Sequence, residues 1–144
     1  PGGTFLSIFW GPNDQETRTC SPCPSGKVSP DGAATCVDCP AGSFASSMSS
    51  ECEECPAGYH SLKGSAGCNI CPAGTNASAG SMTCVDCQAG YFAGEGSEVC
   101  EPCPAGYSAL KKASQCSICP AGTVSNVTAS SCTPCPEVSS FFSI

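Results

Sequence analysis

Large apolar side chains are sparse along this chain and recur at a fixed place beside a glycine. No stretch free of Gly and Pro has apolar residues at helical spacing, so the pattern predicts no helix. Because aromatic and β-branched residues favour strands, and Pro followed by Gly favours a turn, each recurrence predicts a short β-hairpin with a Pro-Gly corner. The aromatic or β-branched residues after this glycine are Phe44, Tyr59, Thr75, Tyr91, Tyr107 and Thr123.

Cysteines divide the chain into units of 16 residues. Eight C-x-x-C pairs begin at Cys20 and repeat without exception to Cys132, and the consensus unit is C-x-x-C-P-A-G-[Y/F/T]-x-[S/A]. Its first glycine falls three residues after the second cysteine in seven units, which predicts a positive φ or a close backbone approach there. A second glycine later in the unit predicts the tip of the hairpin, at Gly32, Gly64, Gly80 and Gly96.

The repeat predicts a small disulfide-rich all-β fold, an elongated solenoid-like rod of short β-hairpins in which each unit touches its neighbours. Residues 20–135 form eight C-x-x-C-P-A-G repeats of 16 residues. Residues 1–19 are interpreted as the end of a preceding truncated repeat with an apolar insertion, because residues 1–5 resemble the consensus and Cys20 arrives seven residues late. Residues 136–144 are interpreted as an apolar C-terminal tail.

A longer period of 48 residues, or three units, overlies the 16-residue repeat. The Val37-Asp38 dipeptide between two cysteines recurs at Val85-Asp86, and Leu62-Lys63 recurs at Leu110-Lys111. Two explanations fit this pattern. One is the duplication of an ancestral triplet of repeats, and the other is that every third unit faces the same neighbour in an assembly.

Sixteen cysteines in 144 residues indicate a disulfide scaffold in an oxidising compartment, so we expect an extracellular or cell-surface protein. Few large apolar side chains are available for a core, and cross-links are therefore needed to hold the fold. The net charge of −7, with only five Lys and Arg residues, argues against a nucleic-acid partner. No apolar run reaches transmembrane length, so no membrane insertion is expected in this segment.

Spacing alone leaves two disulfide arrangements open. In a paired arrangement, units couple in twos through Cys20–Cys36 and Cys23–Cys39. In a ladder, the second cysteine of each unit joins the first of the next, and Cys20 and Cys135 need partners outside the segment. The three-unit period favours the ladder, because coupling in twos would require a 32-residue period. The ladder pairs are Cys23–Cys36, Cys39–Cys52, Cys55–Cys68, Cys71–Cys84, Cys87–Cys100, Cys103–Cys116 and Cys119–Cys132.

The consensus resembles the ephrin-receptor-like cysteine-rich repeat, and its first half resembles the opening module of tumour-necrosis-factor receptors. The resemblance covers residues 20–136, with spacing, Pro and Gly agreeing together. It implies an elongated, disulfide-held β-rod in an extracellular protein and carries over no catalytic residue. Long arrays of this kind are similar to those in surface and mastigoneme-type glycoproteins.

The sequence offers few residues for metal binding, redox chemistry or acid–base catalysis. Successive C-x-x-C pairs are close to zinc-ribbon spacing, but the acidic, secretory composition favours disulfides, and we predict no metal and no cofactor. Eight C-x-x-C pairs, most followed by Pro, do not suit a thioredoxin-like redox motif. His60, the single histidine, is interpreted as a surface residue rather than a catalytic base. Glu51, Glu53 and Glu54 are interpreted as a solvated acidic face, with weak calcium binding as the alternative.

Two kinds of surface feature remain. The sequons at Asn76 and Asn126 predict N-linked glycans in exposed hairpin segments. The apolar residues Phe5, Phe9 and Trp10 either pack on the first hairpin or contact another subunit, and Phe141 and Phe142 are further candidates for assembly contacts.

These features predict an extracellular structural protein rather than an enzyme. A regular rod with apolar ends and few charges suits a homo-oligomer or filament, a glycoprotein fibril whose subunits associate end to end or side by side. The alternative is a stalk, or a ligand-binding ectodomain segment, of a cell-surface receptor or adhesin. A stalk would be monomeric, whereas a fibril subunit would bury its ends against copies of itself.

Overall fold

The computed structural model describes residues 2–137, and all regular structure in this part of the chain is β. The first two strands are the longest. Strand β1 (Thr4–Trp10) pairs antiparallel with β2 (Glu16–Pro22), from Thr4 opposite Pro22 to Trp10 opposite Glu16. The aromatic and β-branched residues of β1 and the turn closed by the Gly11 N–H donating to the Gln15 carbonyl explain this hairpin.

Seven further antiparallel hairpins follow, each made of two strands of two residues. The first strand follows the Pro-Gly corner, and the second is the dipeptide between the cysteines of the next pair. The hairpins are β3 (Lys27–Val28) with β4 (Val37–Asp38), β5 (Ser43–Phe44) with β6 (Glu53–Glu54), β7 (Tyr59–His60) with β8 (Asn69–Ile70), β9 (Thr75–Asn76) with β10 (Val85–Asp86), β11 (Tyr91–Phe92) with β12 (Glu101–Pro102), β13 (Tyr107–Ser108) with β14 (Ser117–Ile118), and β15 (Thr123–Val124) with β16 (Thr133–Pro134).

The Pro-Gly corner predicted from the sequence is a hydrogen-bonded turn. In the third of these hairpins the Tyr59 N–H donates to the Pro56 carbonyl at 3.2 Å, with Gly58 at φ 81° between them. Proline presets the first bend, and glycine supplies the positive φ that a side chain would oppose. The prediction of one short β-hairpin per unit, with no helix in the described residues, is confirmed.

Successive units are joined through their backbones as well as by the covalent chain. The Gly58 N–H donates to the Ala77 carbonyl (2.7 Å), the Cys71 N–H to the Gly58 carbonyl (2.9 Å) and the Gly80 N–H to the Cys55 carbonyl (2.9 Å). Bonds at the same sequence separations recur along the rod. Because neighbouring units satisfy these backbone groups, strands of two residues are sufficient for a stable stack.

The core is a column of small side chains and sulfur. The second cysteines from Cys23 to Cys103 are fully buried, whereas the first cysteines are only half-buried. The Ser/Ala position of the consensus lies beside them and is buried in six successive units, from Ser29 to Ala109. Where it is Ser, the hydroxyl donates to a backbone carbonyl, as Ser61 does to Ser43 at 2.9 Å. Only a small residue fits a column that the next unit covers so closely.

The tip of each hairpin takes a positive φ whichever residue occupies it. Gly64 has φ 74°, and the same repeat position in other units is filled by Met48 (φ 64°), Lys112 (φ 64°) and Thr128 (φ 61°). A residue with a Cβ pays about 1–2 kcal/mol for this conformation. Stacking with the neighbouring units therefore imposes the tip geometry even where the sequence offers no glycine.

The N-terminal segment follows the repeat pattern with a longer hairpin. Gly3 has φ 79° and donates to the Ser29 carbonyl, Cys23 donates to the Gly3 carbonyl, and the Ser29 hydroxyl donates to the Thr4 carbonyl. These bonds match those of the later units, such as Cys39 donating to Gly26. The seven extra residues lengthen β1 and β2. Most of the predicted C-terminal tail, residues 138–144, lies outside the described residues.

Candidate functional site

Seven disulfides run along the rod, each between cysteines 13 residues apart. They have Cα–Cα distances of 5.6–5.8 Å, ordinary for a disulfide. Each joins the second cysteine of one unit to the first of the next, which is the ladder arrangement. The pairs are Cys23–Cys36, Cys39–Cys52, Cys55–Cys68, Cys71–Cys84, Cys87–Cys100, Cys103–Cys116 and Cys119–Cys132.

The hairpin itself brings each pair of cysteines together. Cys68 directly precedes β8, so the pairing of β7 with β8 places it near the end of β7. The turn at Pro56 bends the chain between Cys55 and β7, and the two cysteines thereby come within bonding distance. Closing a loop of this size stabilises the folded chain by about 3 kcal/mol in the chain-entropy account. The ladder therefore supplies much of the stability that the sparse apolar core does not.

Two cysteines of the described segment, Cys20 and Cys135, are free and exposed. Cys20 lies in β2 at the place of a first cysteine, and Cys135 follows β16 at the place of a second cysteine. In the ladder, a first cysteine bonds to the unit before it and a second cysteine to the unit after it. The two free thiols therefore stand where the ladder would continue in each direction.

His60, interpreted from the sequence as a surface residue, is half-buried and lies against a disulfide. Its ring is half-buried at the end of β7, with Nδ1 3.1 Å from the Cys84 sulfur and 3.9 Å from the Cys71 sulfur. The ring nitrogen and both sulfurs lie within 4.8 Å of one another. Zinc binds thiolates, and these sulfurs are joined to each other, so the group is not a metal centre in this form. No signal in the sequence locates this contact, because it depends on how the units stack.

Charged side chains form ion pairs between units, on the surface of the rod. Asp38 lies 2.5 Å from the Lys27 ammonium and 3.9 Å from that of Lys63, and Asp86 lies 3.8 Å from that of Lys111. The hydrogen bond from Lys27 lowers the pKa of Asp38 below its usual value. Lys63–Asp38 and Lys111–Asp86 are therefore the same ion pair, repeated after 48 residues between units of one chain. Glu51, Glu53 and Glu54 are exposed.

The two sequons occupy different surroundings. Asn76 is half-buried in β9, and its side-chain amide donates to the Glu98 carbonyl at 3.0 Å. Asn126 lies exposed between β15 and β16. The acceptor nitrogen of Asn126 is therefore the more accessible of the two.

The first hairpin presents apolar side chains to solvent. Phe9 is 63% exposed and Trp10 is 70% exposed, while Phe5, nearer the rod, is half-buried. The described part of the chain offers no partner strand for either edge of this two-stranded sheet. Phe9 and Trp10 are therefore open to contact with another molecule, whereas Phe5 is covered in part. Phe141 and Phe142 lie outside the described residues.

The hairpins, the disulfide ladder and the backbone bonds between units together define a disulfide-rich all-β repeat rod. The chain belongs to the tyrosine-protein kinase ephrin type A/B receptor-like family, whose sequence model matches residues 26–63 and 90–131, more than half of the chain. A comparison with curated proteins found no match. Within residues 2–137, no helix is long and apolar enough to cross a membrane.

Proposed function

We propose that this chain is an extracellular structural protein, a disulfide-stapled rod that assembles with copies of itself into a glycoprotein fibril. The exposed apolar tip of the β1–β2 hairpin carries the proposal. Phe9 and Trp10 stand together at the end of a hairpin that projects from a regular rod. Adjacent large apolar side chains form a contiguous exposed patch, and such patches mark interaction sites more often than scattered apolar residues do.

The extracellular location is supported by the disulfides and by the family. Seven disulfides would be reduced in a cytosol but persist in an oxidising compartment. The family match also supports this location, because it identifies the repeats as a receptor-like, cysteine-rich module. The role we propose is mechanical rather than catalytic.

A second copy of the chain is the partner that we propose for the hairpin. Within the described residues β1 and β2 pair with no strand but each other, so a strand of another copy can add to the sheet while covering Phe9 and Trp10. A contact between different surfaces generates an open filament when the rotation that relates the copies does not close into a ring, and we propose this open case. Phe5, Phe141 and Phe142 complete the proposed assembly contacts.

We propose that covalent glycans at Asn126 and Asn76 cover part of the surface that does not assemble. The exposure of Asn126 supports higher occupancy there than at Asn76. A bulky glycan on one side of a rod limits which sides can associate, and so favours association through the hairpin.

Sedimentation and negative-stain electron microscopy of the oxidised chain test the proposal. Wild-type protein is expected to form filaments or concentration-dependent oligomers, and the double variant Phe9→Asp, Trp10→Asp is expected to be monomeric. Leu110→Asp is the matched control, because Leu110 is 75% exposed but lies on the rod, and this variant should assemble like wild type. A wild-type chain that stays monomeric at all concentrations would refute the fibril.

Thiol labelling separates covalent from non-covalent assembly. We propose that Cys20 and Cys135 bond to partners outside this segment, so alkylation without reduction should label these two cysteines at most. Labelling of cysteines within the ladder would contradict the disulfide-held rod. Assembly that persists with both thiols labelled would assign the contact to the apolar hairpin alone.

A stalk, or a ligand-binding ectodomain segment, is the second candidate, and the family match favours it. The matched repeats are named for receptors, and a regular rod can hold a binding domain away from a membrane. Isolated rods that remain monomeric in the sedimentation experiment would support this function in place of the fibril.

A further inference from the structure

In three units, the last residue of the first strand lies against a disulfide of a later unit. His60 approaches the Cys84 sulfur at 3.1 Å, and the side-chain oxygen of Asn76 approaches the Cys100 sulfur at 3.3 Å. The Ser108 hydroxyl approaches the Cys132 sulfur at 3.4 Å. In all three contacts the sequence separation is 24 residues. Among these neighbours, only His60 carries an imidazole, whose ring nitrogens can both donate and accept a proton.

The two sulfurs beside His60 differ in access. Cys71 is fully buried, whereas Cys84 is half-buried, so a thiol from solvent reaches Cys84 first. Attack on Cys84 makes Cys71 the leaving sulfur, and Cys71 lies 3.9 Å from the same imidazole nitrogen. A hydrogen on Nδ1 therefore lies within reach of the sulfur on which negative charge develops.

We propose that Cys71, Cys84 and His60 form a thiol-reactive site, whose substrates are dithiols. A dithiol thiolate attacks the Cys84 sulfur, the Cys71–Cys84 bond breaks, and a mixed disulfide forms on Cys84. The electron pair of the broken bond passes to the Cys71 sulfur, which takes the Nδ1 proton of the His60 imidazolium and leaves a neutral imidazole. The second thiol of the reagent gives its proton to this imidazole and attacks the mixed disulfide, and the Cys84 sulfur leaves with that proton as a thiol. The dithiol is oxidised to its disulfide, and the protein pair is reduced to two thiols.

The next disulfide, Cys87–Cys100, provides a matched comparison within the same chain. It has the same pattern of access, with Cys87 buried and Cys100 half-buried, but its neighbour is Asn76. An asparagine amide cannot supply a proton to a leaving thiolate as an imidazole can. A hydrogen bond to a charged group is stronger than one between neutral groups, and a sulfur whose developing charge is stabilised leaves faster. We therefore expect Cys71–Cys84 to open about tenfold faster than Cys87–Cys100.

Limited reduction of the oxidised 144-residue chain tests the site. Dithiothreitol is added, the reaction is stopped by alkylation at short times, and peptide mass spectrometry gives the initial opening rate of each disulfide. In His60→Asn, the rate at Cys71–Cys84 should fall about tenfold, to that of Cys87–Cys100. In Asn76→His, the rate at Cys87–Cys100 should rise by a similar factor.

The reciprocal variants separate chemistry from packing. A purely structural effect of His60→Asn could loosen the neighbouring units, but it would then also speed the opening of Cys39–Cys52, which serves as an internal reference. His60→Phe is a second control, because Phe44 and Phe92 fill the same repeat position in other units. Equal opening rates at the two compared disulfides, or an Asn76→His variant with an unchanged rate, would overturn the proposal.

Discussion

Replacement of Gly58 by alanine is the sharpest test of how the units stack. Gly58 has φ 81°, and a Cβ built on it would lie 2.0 Å from the Gly96 carbonyl oxygen, 38 residues later. A left-handed conformation costs a residue with a Cβ about 1–2 kcal/mol. Overpacking against a backbone that cannot move freely adds about 1–3 kcal/mol. The expected loss in the free energy of local unfolding is therefore about 3 kcal/mol.

Gly122 provides the control, because it has the same repeat position and φ 83°, but no described atom lies within 4 Å of its built Cβ. Gly122→Ala should cost only the conformational term of about 1–2 kcal/mol. The assay is amide hydrogen exchange of the oxidised proteins. It is read at the Cys71 amide, which donates to the Gly58 carbonyl, and at the Gly96 amide, which donates to the Cys71 carbonyl.

Since 1.4 kcal/mol corresponds to a factor of ten, protection of these amides should fall about 100-fold in Gly58→Ala. In Gly122→Ala the distant amides of Cys71 and Gly96 should exchange as in wild type, whereas the protection of amides beside residue 122 should fall about tenfold. Equal local losses around the two substituted positions would refute the argument that the contact with Gly96, rather than the positive φ, requires glycine at this place.

Two further predictions concern single side chains. Met48→Gly should raise the free energy of unfolding by about 1 kcal/mol, because Met48 is largely exposed and has φ 64°. Chemical denaturation of the oxidised chain measures this change. A lower free energy of unfolding in the variant would show that the tip is unstrained. Because Lys27 lowers the pKa of Asp38, this pair stabilises the fold above the unfolded pKa of about 3.8 and loses the contribution as pH falls through the folded value. An NMR titration of the Asp38 carboxyl should therefore have a midpoint below 3.8, and this midpoint should rise in Lys27→Ala. A wild-type midpoint at or above 3.8 would contradict the pair.

The sequence by itself determined the repeat and the local structure of each unit. The cysteine period gave the 16-residue unit, and the Pro-Gly corner followed by an aromatic or β-branched residue predicted the hairpin. These features are local, because a turn and a two-residue strand depend on side chains within a few positions of one another. The extra length before Cys20 likewise identified the unit that carries the long hairpin.

Only the tertiary structure decided which side chains meet across units. It placed the Ser/Ala position in the core beside the buried cysteines, His60 on the Cys71–Cys84 disulfide and Lys63 beside Asp38. It also gave Met48 a positive φ that its side chain disfavours. These contacts join residues about 20 to 40 positions apart, and the way units stack sets their separation. Sequence spacing does not encode that stacking, because it arises from backbone bonds between units that any residue but proline can form.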